Sequence, residues 1–338
     1  MRKTWMAMAV VVATAAVLAG GAGGQAQTTK VKQAGFKVVD LAVPFLAQAK
    51  GFFKQSGVDW EYVEIDSGKL GVSALLSRNV QFVDLGVDDV AGLQKEGKDP
   101  ILVYSMVNSL TMDLVVRNDV LQRLGVQPSS PLPAKLKALK GLSFGITRPG
   151  AVTQLFPQYL LRKAGYDPEK DATFVQIGGG QALIAAMKAQ KIDAFMLSAP
   201  APYVLERDKV GTVLIKNSAG QGPQEFANFA FESIATLKSW AQQNSAVVQA
   251  YVKSLGQANA WMRGNRDEAV RLLKAYFPET DEATLQLSFN ALIPAVRKDG
   301  KLDETGVRNQ IDVLRAIGAI DYSPDPKEGI LWTNQYNR

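Results

Sequence analysis

Ala74-Leu-Leu-Ser-Arg-Asn-Val-Gln-Phe82 aligns without a gap on Ala186-Met-Lys-Ala-Gln-Lys-Ile-Asp-Ala194. Each stretch reads as a helix end that turns into a buried strand, so the pair points to one α/β unit used twice. Around the first copy, residues 36–41 read as a strand, 44–55 as a helix stopping at Gly57, 60–65 as an alternating strand, 71–76 as a helix and 80–85 as a strand ending at Gly86. Around the second, 142–146 read as a strand, 153–164 as a helix and 174–177 as a strand. Gly178-Gly179-Gly180 then breaks the chain before a helix over 181–189 and a strand over 192–197. Residues 120–133, with their Pro and Ser content, read as the loop between the copies. Strands alternating with helices predict two α/β lobes, each a mostly parallel sheet flanked by helices. Beyond Leu237 the chain is mainly helical, with amphipathic segments over 246–262, 266–276 and 305–317 that pack against the lobes.

The 338 residues are 47% hydrophobic with scattered charge, a composition able to build substantial cores. Arg2 and Lys3, the apolar run from Trp5 to Leu18 and the small residues leading to Gly24-Gln25-Ala26 form a secretory signal peptide pattern, with cleavage expected after Ala26. No later stretch is apolar and long enough to span a bilayer. The net charge of +6 comes from lysines and arginines spread along the chain, so nucleic acid is excluded as a partner. With no cysteine and no histidine, disulfides, thiol nucleophiles, Ser-His-Asp triads and the usual zinc sites are all closed. Without cysteine there is also no lipid-bearing residue to anchor the exported chain.

Gly141-Leu-Ser143-Phe-Gly145 matches the nucleophile-elbow pattern, but Ser143 falls inside a strand and has no histidine to act as base, and no Ser-x-x-Lys pair replaces it. No catalytic residue is expected. Asp88-Asp89 follows a strand and Gly86, where a carboxylate could meet a cation or a ligand amine, or simply cap a helix. Asp193 reads as a residue that ends a core strand. No acid spacing forms a metal signature, and no cofactor is expected. Three turns, Ser67-Gly68-Lys69, Thr147-Arg148-Pro149-Gly150 and Gly178-Gly179-Gly180-Gln181, each precede a helix at the carboxyl end of a strand. Helix starts offer unpaired amides to anions, and open α/β sheets bind ligands at that edge. Arg148, if it points inward, would pair bidentately with a carboxylate or sulfonate.

Pro44 followed by Lys50-Gly51-Phe52-Phe53-Lys54-Gln55-Ser56-Gly57-Val58 and Val63-Glu64, then Val80-Gln81 through Leu85-Gly86, Leu139-Lys140-Gly141-Leu142-Ser143-Phe144-Gly145, and Ile192-Asp193-Ala194 through Pro200 occur in this order. In order and spacing they resemble the periplasmic solute-binding proteins of ABC importers, in the nitrate, sulfonate and taurine (NMT1-like) branch. The resemblance implies the type II periplasmic-binding-protein fold: two lobes, 27–109 with 229–338 and 110–228, joined by two hinge crossovers near 108–111 and 227–231. It implies a small organic, sulfonate- or carboxylate-like solute held in the interlobe cleft by a monomer and delivered to an inner-membrane permease from the periplasm. The implied pocket takes in Val43, Pro44, Ser67, Gly68, Lys69, Gly86, Val87, Asp88, Ser109, Thr147, Arg148, Gly150, Ala151, Gly179, Gly180, Gln181, Ser198, Pro200 and Asn228. Leu197-Ser198-Ala199-Pro200 departs from the aromatic or acidic residue that nitrate and sulfonate binders carry there, which points away from taurine and nitrate. A pyrimidine or thiamine-precursor binder and a ligand-sensing periplasmic protein are the alternatives. An enzyme similar to the pyrimidine-synthesising relatives would need a histidine that this chain lacks.

Overall fold

The computed structural model describes residues 28–65 and 68–337, so the leader expected over 1–26, and Ser67 with it, lies outside the described residues. Ten strands follow in chain order: β1 Thr29–Gly35, β2 Val58–Glu64, β3 Phe82–Leu85, β4 Pro100–Val107, β5 Asp113–Arg117, β6 Ser143–Ile146, β7 Thr173–Gln176, β8 Ala194–Leu197, β9 Gly211–Ile215 and β10 Glu232–Leu237. They form two five-stranded sheets, ordered β2-β1-β3-β10-β4 and β7-β6-β8-β5-β9. In each sheet the first three strands run parallel, and the fourth, β10 or β5, is antiparallel to both its neighbours. The expected α/β class with mostly parallel sheets is what the chain forms.

The repeat is present in three dimensions. Helices Gly68–Leu76 and Gly180–Lys188 begin 112 positions apart, as do the strands they feed, β3 at Phe82 and β8 at Ala194. Arg78 and Gln190 hold equivalent places in the aligned stretches, and both take positive φ, 60° and 56°. That left-handed step lets the chain leave the helix and turn into the strand. The chain leaves the first sheet at β4, enters the second at β5, and returns to the first only at β10. Each sheet is therefore completed by a strand lying just past a crossover.

Burial explains the elements. One apolar cluster packs helices Ala42–Ala49, Ser245–Gly264, Arg266–Leu273 and Glu282–Leu292 against the first sheet. There Phe82 stacks on Tyr251 with ring centroids 3.9 Å apart, and Phe53 stacks on Tyr251 and on Trp60, each at 5.3 Å. A second cluster joins residues of both sheets to Val307, Ile311 and Leu314 of helix Glu304–Ala316, and a third fills one face of the second sheet around Leu183 and Phe195.

Several sequence expectations are corrected. Residues 36–41 are not a strand: they form a loop and the short turn Val39–Leu41, and the strand is β1, seven residues earlier in its start. Lys30, Lys32 and Gln33 disguise β1 as polar. The two lysines pair with Glu61 of β2 at 2.8 and 2.9 Å. Gln33 is fully buried, and its Oε1 accepts from Trp60 Nε1 at 3.0 Å and from Tyr251 OH at 2.6 Å, which satisfies the carbonyl, while its Nε2 has no partner among the described residues. The helix expected over 44–55 is split into Ala42–Ala49 and Phe52–Gln55 by Gly51 at φ 72°. Residues 120–133 hold most of helix Asn118–Leu124 and the start of Leu132–Lys137 in place of a plain loop. The three C-terminal helices are present at Ser245–Gly264, Arg266–Leu273 and Glu304–Ala316.

Close helix-to-strand packing depends on Gly145 of β6. A Cβ there would meet Ile192 Cδ1 at 2.4 Å and Leu183 Cδ2 at 2.7 Å, both core atoms. Gly145→Ala is expected to cost about 1–3 kcal/mol through overpacking. Urea unfolding of the variant checks this, and an unchanged midpoint would refute the close packing.

Candidate functional site

The carboxyl ends of the parallel strands in both sheets meet at one cleft of about 590 Å³. The first half of the chain contributes Phe36, Lys37 and Val38 from the loop after β1, Glu64 and Ile65 at the end of β2, and Leu85 and Gly86 at the end of β3. The second contributes Thr147, Arg148, Gly150 and Ala151 after β6, Gly179, Gly180 and Gln181 after β7, and Leu197, Ser198 and Pro200 after β8. Because β10 and β5 run the other way, it is their starts, Phe231, Glu232 and Met112, that reach the same opening. This is the edge where α/β sheets hold ligands, since helices begin there and leave amides unpaired.

Of the residues expected in a pocket, Gly68, Lys69, Gly86, Asp88, Thr147, Arg148, Gly150, Ala151, Gly179, Gly180, Gln181, Ser198 and Pro200 line this cleft. The structure places the others elsewhere. Val43 and Pro44 are buried in helix Ala42–Ala49, and Val87 is buried at the start of helix Val87–Lys95. Ser109 lies half-buried in the first crossover, and exposed Asn228 uses its carbonyl to accept from Asn309 Nδ2 at 2.9 Å. Ser67 is outside the described residues.

Several helix starts line the cleft. Val152–Lys163 and Gly180–Lys188 have N-caps Ala151 and Gly179, and neither cap makes a side-chain hydrogen bond. Thr147 is held in place from that helix by Thr153, whose Oγ1 accepts from the Thr147 amide at 3.0 Å. Asp88 and Asp89 lie in the first turn of Val87–Lys95, whose N-cap is Gly86, so the capping role open to them in the sequence falls to neither. Their charge still suits the positive end of that helix.

The cleft is richer in acid than the sequence suggested. Glu64, Asp84, Asp88, Asp89, Glu232 and Glu279 line it against Lys37, Lys69 and Arg148. Asp84 on β3 is fully buried, and burial pushes its carboxyl up to about 7. Neither of its oxygens meets a donor among the described residues. Glu232 lies beside it on β10, raised well above the usual range by burial and then by the Asp84 charge, and the two carboxyls can bond only by sharing a proton. Burial, then the neighbouring Asp88, pushes Asp89 up to about 8. These residues carried little sequence signal, since Asp84 sits inside an apolar strand and Glu232 opens a strand that the pattern does not reveal.

Beneath the cleft a polar network ties the halves together at the crossovers. Thr111 Oγ1 donates to Asp40 Oδ2 at 2.6 Å and lies 3.2 Å from Ser198 Oγ. Asp113 accepts from Tyr203 OH and from the Ser218 amide and hydroxyl, each at 2.9 Å. Burial pushes Asp40 and Asp113 up to about 6 despite these donors. Ser143, in the elbow-like motif, is structural: its Oγ donates to Asp193 Oδ2 at 2.8 Å and accepts from the Asp193 amide at 3.0 Å. Among the described residues no group of three or more acids could hold a metal ion.

Comparison with known proteins agrees with this architecture. A structure from Bordetella bronchiseptica RB50 superposes with a TM-score of 0.77 at 20% identity, covering 92% of this chain and 96% of that one. The alkanesulfonate-binding protein SsuA from Xanthomonas axonopodis, bound to MOPS, gives 0.67 at 16% identity, with 90% and 96% covered. These likenesses give the fold, that of the periplasmic binding proteins. By sequence, YtlA of Bacillus subtilis (strain 168), provisionally named a binding protein, is 22% identical over 77% of this chain and 74% of its own length. The nitrate/nitrite binding protein NrtA of a Nostoc species is 24% identical over 70% of this chain, a match spanning just 54% of NrtA. The NMT1-like family model matches residues 24–274, most of the chain, and the chain belongs to the NMT1-like family.

Proposed function

We propose that this protein is the solute-binding component of an ABC-type import system, exported by its leader to the periplasm, and that it carries a small organic solute to an inner-membrane permease. The observation that carries this is the cleft of about 590 Å³, lined from both halves of the chain at the carboxyl ends of both sheets. Its volume suits a small molecule. Among the described residues no helix is long and apolar enough to cross a membrane, as a diffusing carrier requires.

In this reading the lobes are 27–109 with 229–338, and 110–228. They close about the two crossovers, and a solute bonded to both walls favours the closed state over the open one. On the second-sheet wall, Arg148 and the uncapped helix starts at Ala151 and Gly179 suit a carboxylate- or sulfonate-like group.

Titration of the purified protein with small organic solutes, read by melting temperature and calorimetry, tests the role. A solute present at a hundred times its Kd stabilises by about 2.7 kcal/mol. A shift of several degrees is expected with a cognate solute. Covering the gap with Gly179→Trp, where a side chain would start in open space, should abolish that shift while leaving the ligand-free melting temperature nearly unchanged.

A further inference from the structure

The acid on the first-sheet wall of the cleft outnumbers the cations that face it. Six carboxyls line the cleft against three cations. Lys37 is already paired with Glu279 at 3.5 Å on the rim, and Lys69 is exposed. The second half of the chain contributes a single cation, Arg148, to the lining. Asp84 is fully buried, and among the described residues its oxygens meet no donor unless the neighbouring Glu232 carboxyl shares a proton with it. Gln310, 2% exposed on helix Glu304–Ala316, also lines the cleft, and its Oε1 finds no donor either. Buried acceptors are ordinarily satisfied, and one left unmet on the wall of a cleft calls for a donor from water or from a bound molecule.

We propose that the solute carries a protonated nitrogen group, an ammonium, amidinium or guanidinium, seated against Asp84, Glu232 and the Asp88-Asp89 pair with an N–H directed to Gln310. The inference rests on the reading of the cleft as a solute site. The acceptors come from β3, β10, helix Val87–Lys95 and helix Glu304–Ala316, a spread that several N–H donors can meet one by one and a single metal ion cannot. A solute that also carries an acidic group would bridge the two walls, its nitrogen on the first and its anion on the second.

The titrating groups that face Asp84 are Tyr62 from β2, Tyr251 from helix Ser245–Gly264, Asp40 from the turn Val39–Leu41, Asp89 with its neighbour Asp88, and Glu232, while Arg148 acts on Asp88 and Asp89. All but Arg148 are acids, so a cation entering the cleft drives protons out, and its affinity rises with pH across the range in which Asp84 and Asp89 ionise.

Calorimetry and thermal shift on the purified protein at pH 6 and pH 8, with agmatine, putrescine and benzamidine against methanesulfonate, acetate and nitrate, and against magnesium or zinc alone, test the class. At least one cationic probe is expected to bind, about tenfold more tightly at pH 8 than at pH 6, with proton release seen as a buffer-dependent heat. Asp84→Asn should weaken that binding at least tenfold while raising the ligand-free melting temperature at pH 8, which separates lost binding from lost folding, and Glu232→Gln should do the same. If anions bind, cations do not, and Asp84→Asn leaves anion affinity unchanged, the cation proposal is overturned and the solute-site reading stands. Binding of a metal alone overturns it equally. Silence from every probe overturns the solute-site reading and the proposal with it.

Discussion

Raising the pH of the ligand-free protein from 5.5 to 7 is expected to destabilise it by roughly 2 kcal/mol through Asp84 alone. Burial holds that carboxyl at about 7 in the folded chain, while in the unfolded chain it ionises near its ordinary value of about 3.9. Across the window between, the folded state holds a proton that the unfolded state has released. Stability is therefore greatest on the acid side and falls as pH rises toward the folded value, the reverse of a salt-bridged aspartate. Asp40 and Asp113, held at about 6, add to the fall in the lower part of the window, and Asp89, at about 8, extends it upward. Exposed pairs such as Arg207 with Asp208 and Asp281 act in the opposite direction only at much lower pH and are worth little at the surface. Urea unfolding at a series of pH values measures the profile. A flat or rising stability between pH 5.5 and 7 would show that the buried carboxyls are compensated, and Asp84→Asn should flatten the profile where the native chain slopes.

Phe156→Ala is expected to cost about 3–5 kcal/mol. Phe156, 1% exposed, stands in helix Val152–Lys163, whose start forms one wall of the cleft, and packs edge-on against Phe226, Phe229 and Phe231 at 5.6, 6.0 and 6.1 Å. Those three partners belong to the second crossover, so one ring fastens the cleft wall to the connection that returns the chain to the first sheet. Removing it empties a volume that four aromatic rings share, and the lost edge-to-face contacts add to the lost burial. Phe156→Leu should retain much of the stability. A drop below about 1 kcal/mol for the alanine variant, measured by urea unfolding, would mean that the cluster collapses to fill the gap.

How much of this was legible beforehand follows from how local each feature is. The repeated helix-to-strand unit shows in the sequence because its apolar spacing and its turn are set within nine residues, and Arg78 and Gln190 then adopt the same left-handed step. Glycine-bearing turns at helix starts are equally local, and Gly68, Gly150, Gly179 and Gly180 all line the cleft. β1 escaped notice because the Gln33 side-chain carbonyl is satisfied by Trp60 and by Tyr251, the latter 218 positions away, so its polarity says nothing of its burial. Val43 and Pro44 entered the expected pocket through the family resemblance, and nothing in a short apolar run tells which side of a helix faces the core.

By itself, the sequence determined the α/β class, the duplicated unit and the closure of histidine and cysteine chemistry, because composition and periodicity need no partner to be read. The pairing of Asp84 with Glu232 was decided by the tertiary structure alone. Asp84 and Glu232 are 148 positions apart, and they meet because the chain returns as β10 to lie antiparallel beside β3. Their raised pKa values exist only once the fold takes Asp84 out of water and sets half-buried Glu232 beside it.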